Sequence, residues 1–144
     1  MGGPWITFPL FEHFSFTQDK EYLREKAYPI MKSSAQFILD FLIKDSKGQW
    51  VTVPSNSPEN KYEDPRTGKP QEITYGSTMD VQIITELFRN CITSSEILGC
   101  DMEFADTLKQ VMAALPPVRI SPSTGGIQER IEDYKEIEPG HRHI

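Results

Sequence analysis

A mainly α-helical chain is predicted, made of antiparallel helical hairpins with one long polar loop and short β segments. Three observations carry this prediction. Apolar residues recur at helical spacing in stretches around Phe8, Met31, Ile83 and Phe104. The connections between those stretches alternate between short turns and one long excursion. A single run, Trp50-Val51-Thr52-Val53, has β character, and Pro54 stops it.

Taken in order, Trp5 to Phe16 is predicted as the first helix, because Phe8, Phe11 and Phe14 fall close to one face. Pro9 is compatible with it only in a first turn, where its missing N–H has no intrahelical partner. Trp5 is expected in the core. A short helix from Lys20 to Lys26 follows Thr17-Gln18-Asp19. Pro29 then opens a stronger helix ending near Lys44, with Ile30, Met31, Ser34, Ala35, Phe37, Ile38, Phe41 and Leu42 on one wide stripe.

Gly48 marks a turn before the β run. From Ser55 to Gly76 the chain is polar and rich in turn formers, which makes a long loop; such loops inside compact domains are usually functional or disordered. Ser77 and Asp80 are spaced like a capping box ahead of a long helix that buries Ile83, Ile84, Leu87, Phe88, Cys91 and Ile92, and Gly99 closes it. Asp101 is expected to cap a last helix carrying Phe104, Ala105, Leu108, Val111, Met112 and Leu115, ended by Pro116-Pro117. A turn from Ser121 to Gly126, the run Ile127-Gln128-Glu129 and a polar tail complete the chain. Helical hairpins stacked in this way build barrels or solenoids.

With 144 residues, the chain is large enough for one domain or less. Its formal charge of −6, with no Lys/Arg cluster, argues against a nucleic-acid partner, which needs a basic face. The apolar stretch from Phe37 to Ile43 is too short for a bilayer and holds Asp40, so no membrane partner is expected. Two cysteines are too few for a disulfide framework; Cys91 reads as a buried small hydrophobe and Cys100 as more exposed. Met1-Gly2-Gly3-Pro4-Trp5 lacks the basic segment and apolar run of a secretory signal: either the protein is cytoplasmic or its natural beginning is missing.

Chemistry can sit in two places. In Ser55-Asn56-Ser57-Pro58-Glu59-Asn60 a carboxylate is bracketed by a rigid proline and two amides, which can hold an ionisable group without adding charge. On composition alone, a solvated loop glutamate is the commoner explanation. Near the end, His141 and His143 flank Arg142; two apart in an extended segment, the histidines face opposite ways, which disfavours a shared metal. All three can instead donate hydrogen bonds to a hydroxyl-rich ligand. Trp5, Trp50 and Tyr75 are candidate sugar-stacking platforms, with a core position favoured for Trp5.

Several short motifs lie co-linearly along the chain. They are Gly2-Gly3-Pro4-Trp5, Phe11-Glu12-His13, Phe16-Thr17-x-Asp19-Lys20, Ala27-Tyr28-Pro29, Ser55-x-Ser57-Pro58-Glu59-Asn60, Thr78-Met79-Asp80-x-Gln82, Gln128-Glu129 and Pro139-Gly140-His141-Arg142-His143. In order and spacing the set resembles the catalytic domain of glycoside hydrolase family 95, the inverting α-L-fucosidases. The resemblance implies a partial (α/α)6 barrel, with residues 1–144 a single internal fragment incomplete at both ends. It implies hydrolysis of α-1,2-linked L-fucose, with some members preferring L-galactose, no cofactor and no metal, and a fucosylated oligosaccharide or glycan as substrate.

By the same resemblance Glu59 is the general acid. Arg142 and His143 contact the sugar, with His141 and Asn60 as further substrate-binding neighbours, and Asp80 and Gln82 buttress a helix more than they line a pocket. Where the family commonly has an aromatic after Gln-Glu, this chain has Arg130, so a subsite wall is expected to differ. The family's Asn-x-Asn element and its assisting aspartate lie outside these residues, so the chain alone is expected to be inactive and prone to self-association through an exposed barrel interior. Two other readings stay open: a degenerate, non-catalytic carbohydrate-binding or scaffold remnant, and another helical-barrel sugar enzyme such as a phosphorylase.

Overall fold

The computed structural model describes residues 1–58 and 60–137. Among them are six α-helices, one π-helical turn and six short strands. The chain divides into two compact units, Met1–Leu42 with Gln82–Leu115 and Ile43–Val81 with the segment from Pro116 onward.

The first unit is helical. The stretch predicted as one helix from Trp5 to Phe16 forms two, α1 (Gly2–Trp5) and α2 (Phe8–Thr17). The break falls at buried Thr7, whose hydroxyl donates to the Pro4 carbonyl at 2.7 Å, a local bond that competes with helix continuation. Pro9 consequently lies in the first turn of α2, the one position that tolerates it. The break also explains why Trp5 is not in the core: α1 is one turn that buries only Pro4, and Trp5 is 55% exposed.

Asp19 caps α3 (Lys20–Tyr22), its carboxylate accepting the Glu21 and Tyr22 N–H groups at 2.9 and 3.0 Å. A π-helical turn, Leu23–Ala27, then leads directly into α4 (Tyr28–Phe41). Pro29 therefore lies in the first turn of α4, as expected, although the π turn runs into that helix without a break. Proline lacks the N–H and crowds the carbonyl four residues back; the wider turn, in which the Tyr28 N–H reaches Leu23, relieves both. The buried face of α4 is Met31, Ala35 and Ile38, narrower than the predicted stripe, since Ile30 and Phe37 are exposed.

α4 stops at Phe41, short of the expected Lys44. Leu42 turns extended, and Leu42–Lys44 becomes strand β1. Helices α5 (Thr78–Leu98) and α6 (Met102–Ala113) form a hairpin at Gly99. There the φ of +67° and the bond from Cys100 N–H to the Ser95 carbonyl, 3.1 Å, complete a Schellman stop. Lys109 on α6 pairs with Glu96 on α5 at 3.1 Å. Asp101 precedes α6 but does not cap it with its side chain. Its backbone is left-handed, with φ at +54°, and its carboxylate is directed to Lys32 at 2.6 Å. That ammonium holds the Asp101 carboxyl below the ordinary range.

Cys91 is buried on α5, and burial pushes its thiol up to about 12, while Cys100 is partly exposed. No helix among the described residues is long and apolar enough to cross a membrane.

In the second unit, β1 and β2 (Trp50–Thr52) form a hairpin whose turn is held by Asp45, its carboxylate accepting the Lys47 and Gln49 N–H groups. The stretch expected as a loop from Ser55 to Gly76 is a nested finger of short strands. At its base β3 (Ser55–Asn56) runs antiparallel to β6 (Ile73–Thr74); beyond it β4 (Tyr62–Glu63) pairs with β5 (Pro70–Gln71). Asp64 turns the tip, accepting the Arg66 N–H, a bond that lowers its pKa. Strands this short show no clear alternation, so polar composition hid them.

Candidate functional site

The segment Ser55–Asn60 lies in the second unit, and each end of it is bonded to a buried carboxylate. On the leading side, the Ser55 hydroxyl donates to Asp80 at 2.7 Å and accepts the Ser77 N–H at 2.9 Å. Thr52 donates to the same Asp80 oxygen at 2.8 Å. Asp80 is in the first turn of α5, where the exposed N–H groups favour a negative charge. The predicted capping box is thus half formed: the Ser77 hydroxyl accepts the Asp80 N–H at 3.3 Å, but Ser55, not Asp80, takes the Ser77 N–H.

On the trailing side Asn60 is fully buried. Its Nδ2 donates to both oxygens of Glu129, at 2.6 and 2.7 Å, and its N–H reaches back to the Ser57 carbonyl at 2.8 Å. Arg130 closes the triangle, with Nη2 donating to the Asn60 carbonyl at 2.8 Å and Nη1 lying 3.6 Å from the Glu129 carboxylate. Burial of both charges makes the pairing obligatory, since either one alone would be strongly unfavourable there. The guanidinium lies over the Tyr62 ring, 4.8 Å from its centroid, and Tyr62 stacks in turn on Tyr134 at 4.4 Å. Arg130 therefore fills an interior position with a flat, stacking group. Asn60 Oδ1 is buried and meets no donor among the described residues.

Glu129 and Arg130 are carried by the segment after the Ser121–Gly126 turn, which is fixed on both sides. Ser121 donates to Asp133 at 2.7 Å, and this bond, first among its causes, lowers the Asp133 pKa. The Thr78 N–H donates to the Glu129 carbonyl at 2.9 Å, tying the start of α5 to the same strand-like run. Gly76, just before α5, has φ at +56°, where a side chain strains the backbone, and a Cβ there would lie 2.5 Å from Ile131 Cδ1, so that side chain would have to shift. A shallow depression bordered by Thr78, Val81, Pro116, Arg119, Gln128 and Arg130 adjoins the cluster.

Of the residues singled out from the sequence, Glu59, His141, Arg142 and His143 lie outside the described residues. Asn60 is interior and engages Glu129. Asp80 buttresses the turn into α5 through Ser55 and Thr52, and Gln82 is exposed. Trp50 is half-buried with the Lys44 ammonium 5.0 Å above its ring, and the half-buried Tyr75 points its hydroxyl at Glu132, 3.4 Å away. No group of three or more His, Cys, Asp or Glu side chains among the described residues is arranged to hold a metal ion. Glu129 and Arg130 were not foreseen as partners of Asn60. Nothing in a Gln-Glu-Arg tripeptide indicates an ion pair reaching 70 residues back, although an acidic and a basic residue between Gln128 and Ile131 could have flagged a buried polar pair.

In a mainly helical chain, Ser55 and Asn60 are thus each held by a buried carboxylate. The model of the glycosyl hydrolase family 95 catalytic domain matches residues 1–144, and the chain belongs to that family. It is 45% identical over 148 residues to Alpha-L-fucosidase 2 of Arabidopsis thaliana, an alignment covering 100% of this chain and 17% of that protein. It is 35% identical over 144 residues to Probable alpha-fucosidase A of Aspergillus niger, covering 97% of this chain and again 17% of the relative. The chain thus spans about one sixth of the length of these curated relatives.

Proposed function

We propose that this chain is an internal segment of the (α/α)6-barrel catalytic domain of an inverting α-L-fucosidase acting on α-1,2-linked L-fucose, and that Glu59 is its proton donor. Inversion requires a carboxylic acid that protonates the departing glycosidic oxygen while water attacks from the opposite face. Glu59 supplies the proton. Arg142 and His143, with His141 beside them, contact the fucose hydroxyls, and the water-activating groups lie on segments of the full-length protein outside these residues.

The observation that carries this reading is the double anchoring of Ser55–Asn60. A general acid must be held within hydrogen-bond reach of one oxygen, and a misplacement of about 1 Å can cost a hundredfold in rate. Asp80 fixes Ser55, four residues before Glu59, and Glu129 with Arg130 fixes Asn60, immediately after it. An unremarkable solvated loop has no need of two buried carboxylates. The names of both relatives, each an α-fucosidase, support fucose as the sugar.

Exposed Trp5, Ile6, Phe16, Ile30 and Phe37 support a further part of the reading: the first unit packs against other segments of the full-length protein and self-associates without them. The test is an assay of the full-length protein on a 2′-fucosylated oligosaccharide, following the released sugar by NMR. Fucose appearing first as the β-anomer is expected, and the isolated chain is expected to be inactive. Release as the α-anomer, or no release by the full-length protein, contradicts the proposal.

A further inference from the structure

We infer that Glu129 and Arg130 are positioning residues for proton donation, acting through Asn60; the inference rests on the reading of Glu59 as the general acid. Asn60 is held at two separate atoms. Its side-chain amide lies between the two oxygens of Glu129, at 2.6 and 2.7 Å, and its main-chain carbonyl accepts from Arg130 at 2.8 Å. Side chain and main chain held together leave Asn60 little freedom to swing or rotate. Asn60 is the residue that directly follows Glu59 in the sequence.

The clamp is itself rigid. Glu129 and Arg130 are adjacent and both buried, and their charges face each other across 3.6 Å. Arg130 is further fixed by its stack on Tyr62, whose hydroxyl donates to the Ile73 carbonyl at 3.0 Å. The Glu129 main chain is held by Thr78 at the start of α5. An amide and an ion pair in these places carry a desolvation cost that apolar packing would avoid. If stability alone were selected, hydrophobic side chains would serve as well; a fixed asparagine beside the proton donor is what the polar arrangement adds.

A defect in proton donation has a signature that a general loss of folding does not. A natural glycoside needs its leaving oxygen protonated, whereas α-L-fucosyl fluoride releases fluoride without that help. The experiment measures kcat for the full-length protein and its Glu129→Gln, Glu129→Asp and Glu59→Gln variants on a 2′-fucosylated oligosaccharide and on α-L-fucosyl fluoride. The ratio of the two rates is independent of how much of a variant is folded. Glu129→Asp keeps the charge that Arg130 requires and withdraws the carboxylate from Asn60 by one methylene, so it covers the case in which Glu129→Gln folds poorly.

Both Glu129 variants are expected to lose about tenfold to a hundredfold on the oligosaccharide and less than about threefold on the fluoride. Equal losses on both substrates, or no loss on either, overturn the inference. The Glu59→Gln arm separates the two readings: if it shows the split and the Glu129 variants do not, the positioning role fails alone. If Glu59→Gln shows no split, the acid assignment fails and takes the positioning role with it.

Discussion

Ser55 and Asp80 share one hydrogen bond of 2.7 Å that joins a two-residue strand to the first turn of a helix 25 residues later. The same Ser55 hydroxyl accepts the Ser77 N–H, so a single oxygen passes the helix-capping role to a carboxylate that itself also receives Thr52. Removing the carboxylate leaves two buried hydroxyls without an acceptor. Asp80→Ala is expected to destabilise the full-length protein by about 2–4 kcal/mol and Asp80→Asn by about half as much, because an amide oxygen in the place of Oδ2 still accepts both hydroxyls but carries no charge. Equilibrium urea unfolding reads both; equal losses for the two variants would contradict the bonding pattern.

Gly76→Ala should be more damaging than its size suggests. Two costs combine, a left-handed backbone with φ at +56° and a methyl group placed 2.5 Å from Ile131 Cδ1. A loss of about 2–4 kcal/mol is expected. Ile131→Val removes that Cδ1, so the double variant should recover part of the steric share and none of the backbone share. A double-mutant cycle with no coupling between the two positions would show that the contact is not formed.

Much of this was legible in advance, and the misses have identifiable physical origins. The faces of α5 and α6 follow their apolar spacing, and Gly99 and Pro116-Pro117 end them where glycine and proline must. Thr7, by contrast, broke a helix through a side-chain bond to Pro4 that no periodicity signals. Pro29 marks the first turn of α4 as its sequence suggests, but the π turn that leads into it leaves no mark in sequence. In the finger from Ser55 to Gly76, two-residue strands are held by pairing and by Tyr62 and Asp64 rather than by a pattern. Asn60 could be singled out as polar and adjacent to a candidate acid, but its partner Glu129 is 69 positions away, and only the fold brings them together.

Acid should weaken the chain through named carboxylates. Asp101, held down by Lys32, and Asp133, held down by Ser121, titrate lower in the folded chain than in the unfolded one. Below the ordinary carboxylate pKa of about 3.9 the unfolded state therefore binds more protons, and stability falls as pH drops through the folded values. Between pH 5 and pH 8 these groups contribute a constant amount. The urea midpoint should be flat across that range and decline below about pH 4, with a shallower decline in Asp133→Asn. An unchanged slope in that variant would remove Asp133 from the account.

The two cysteines should differ sharply in reactivity. Cys91 is buried with its thiol pushed up to about 12, and Cys100 is partly exposed. Iodoacetamide at pH 8 should label Cys100 in the native protein and both cysteines in denaturant, as read by peptide mass spectrometry. Rapid native labelling of Cys91 would place it outside the core.

The most direct measurement is kcat/KM of the full-length protein and its Glu59→Gln variant on a 2′-fucosylated oligosaccharide, with the unfolding midpoint recorded alongside. A loss of about a hundredfold to ten-thousandfold at an unchanged midpoint is predicted. Turnover by the variant at the parental rate would contradict the account.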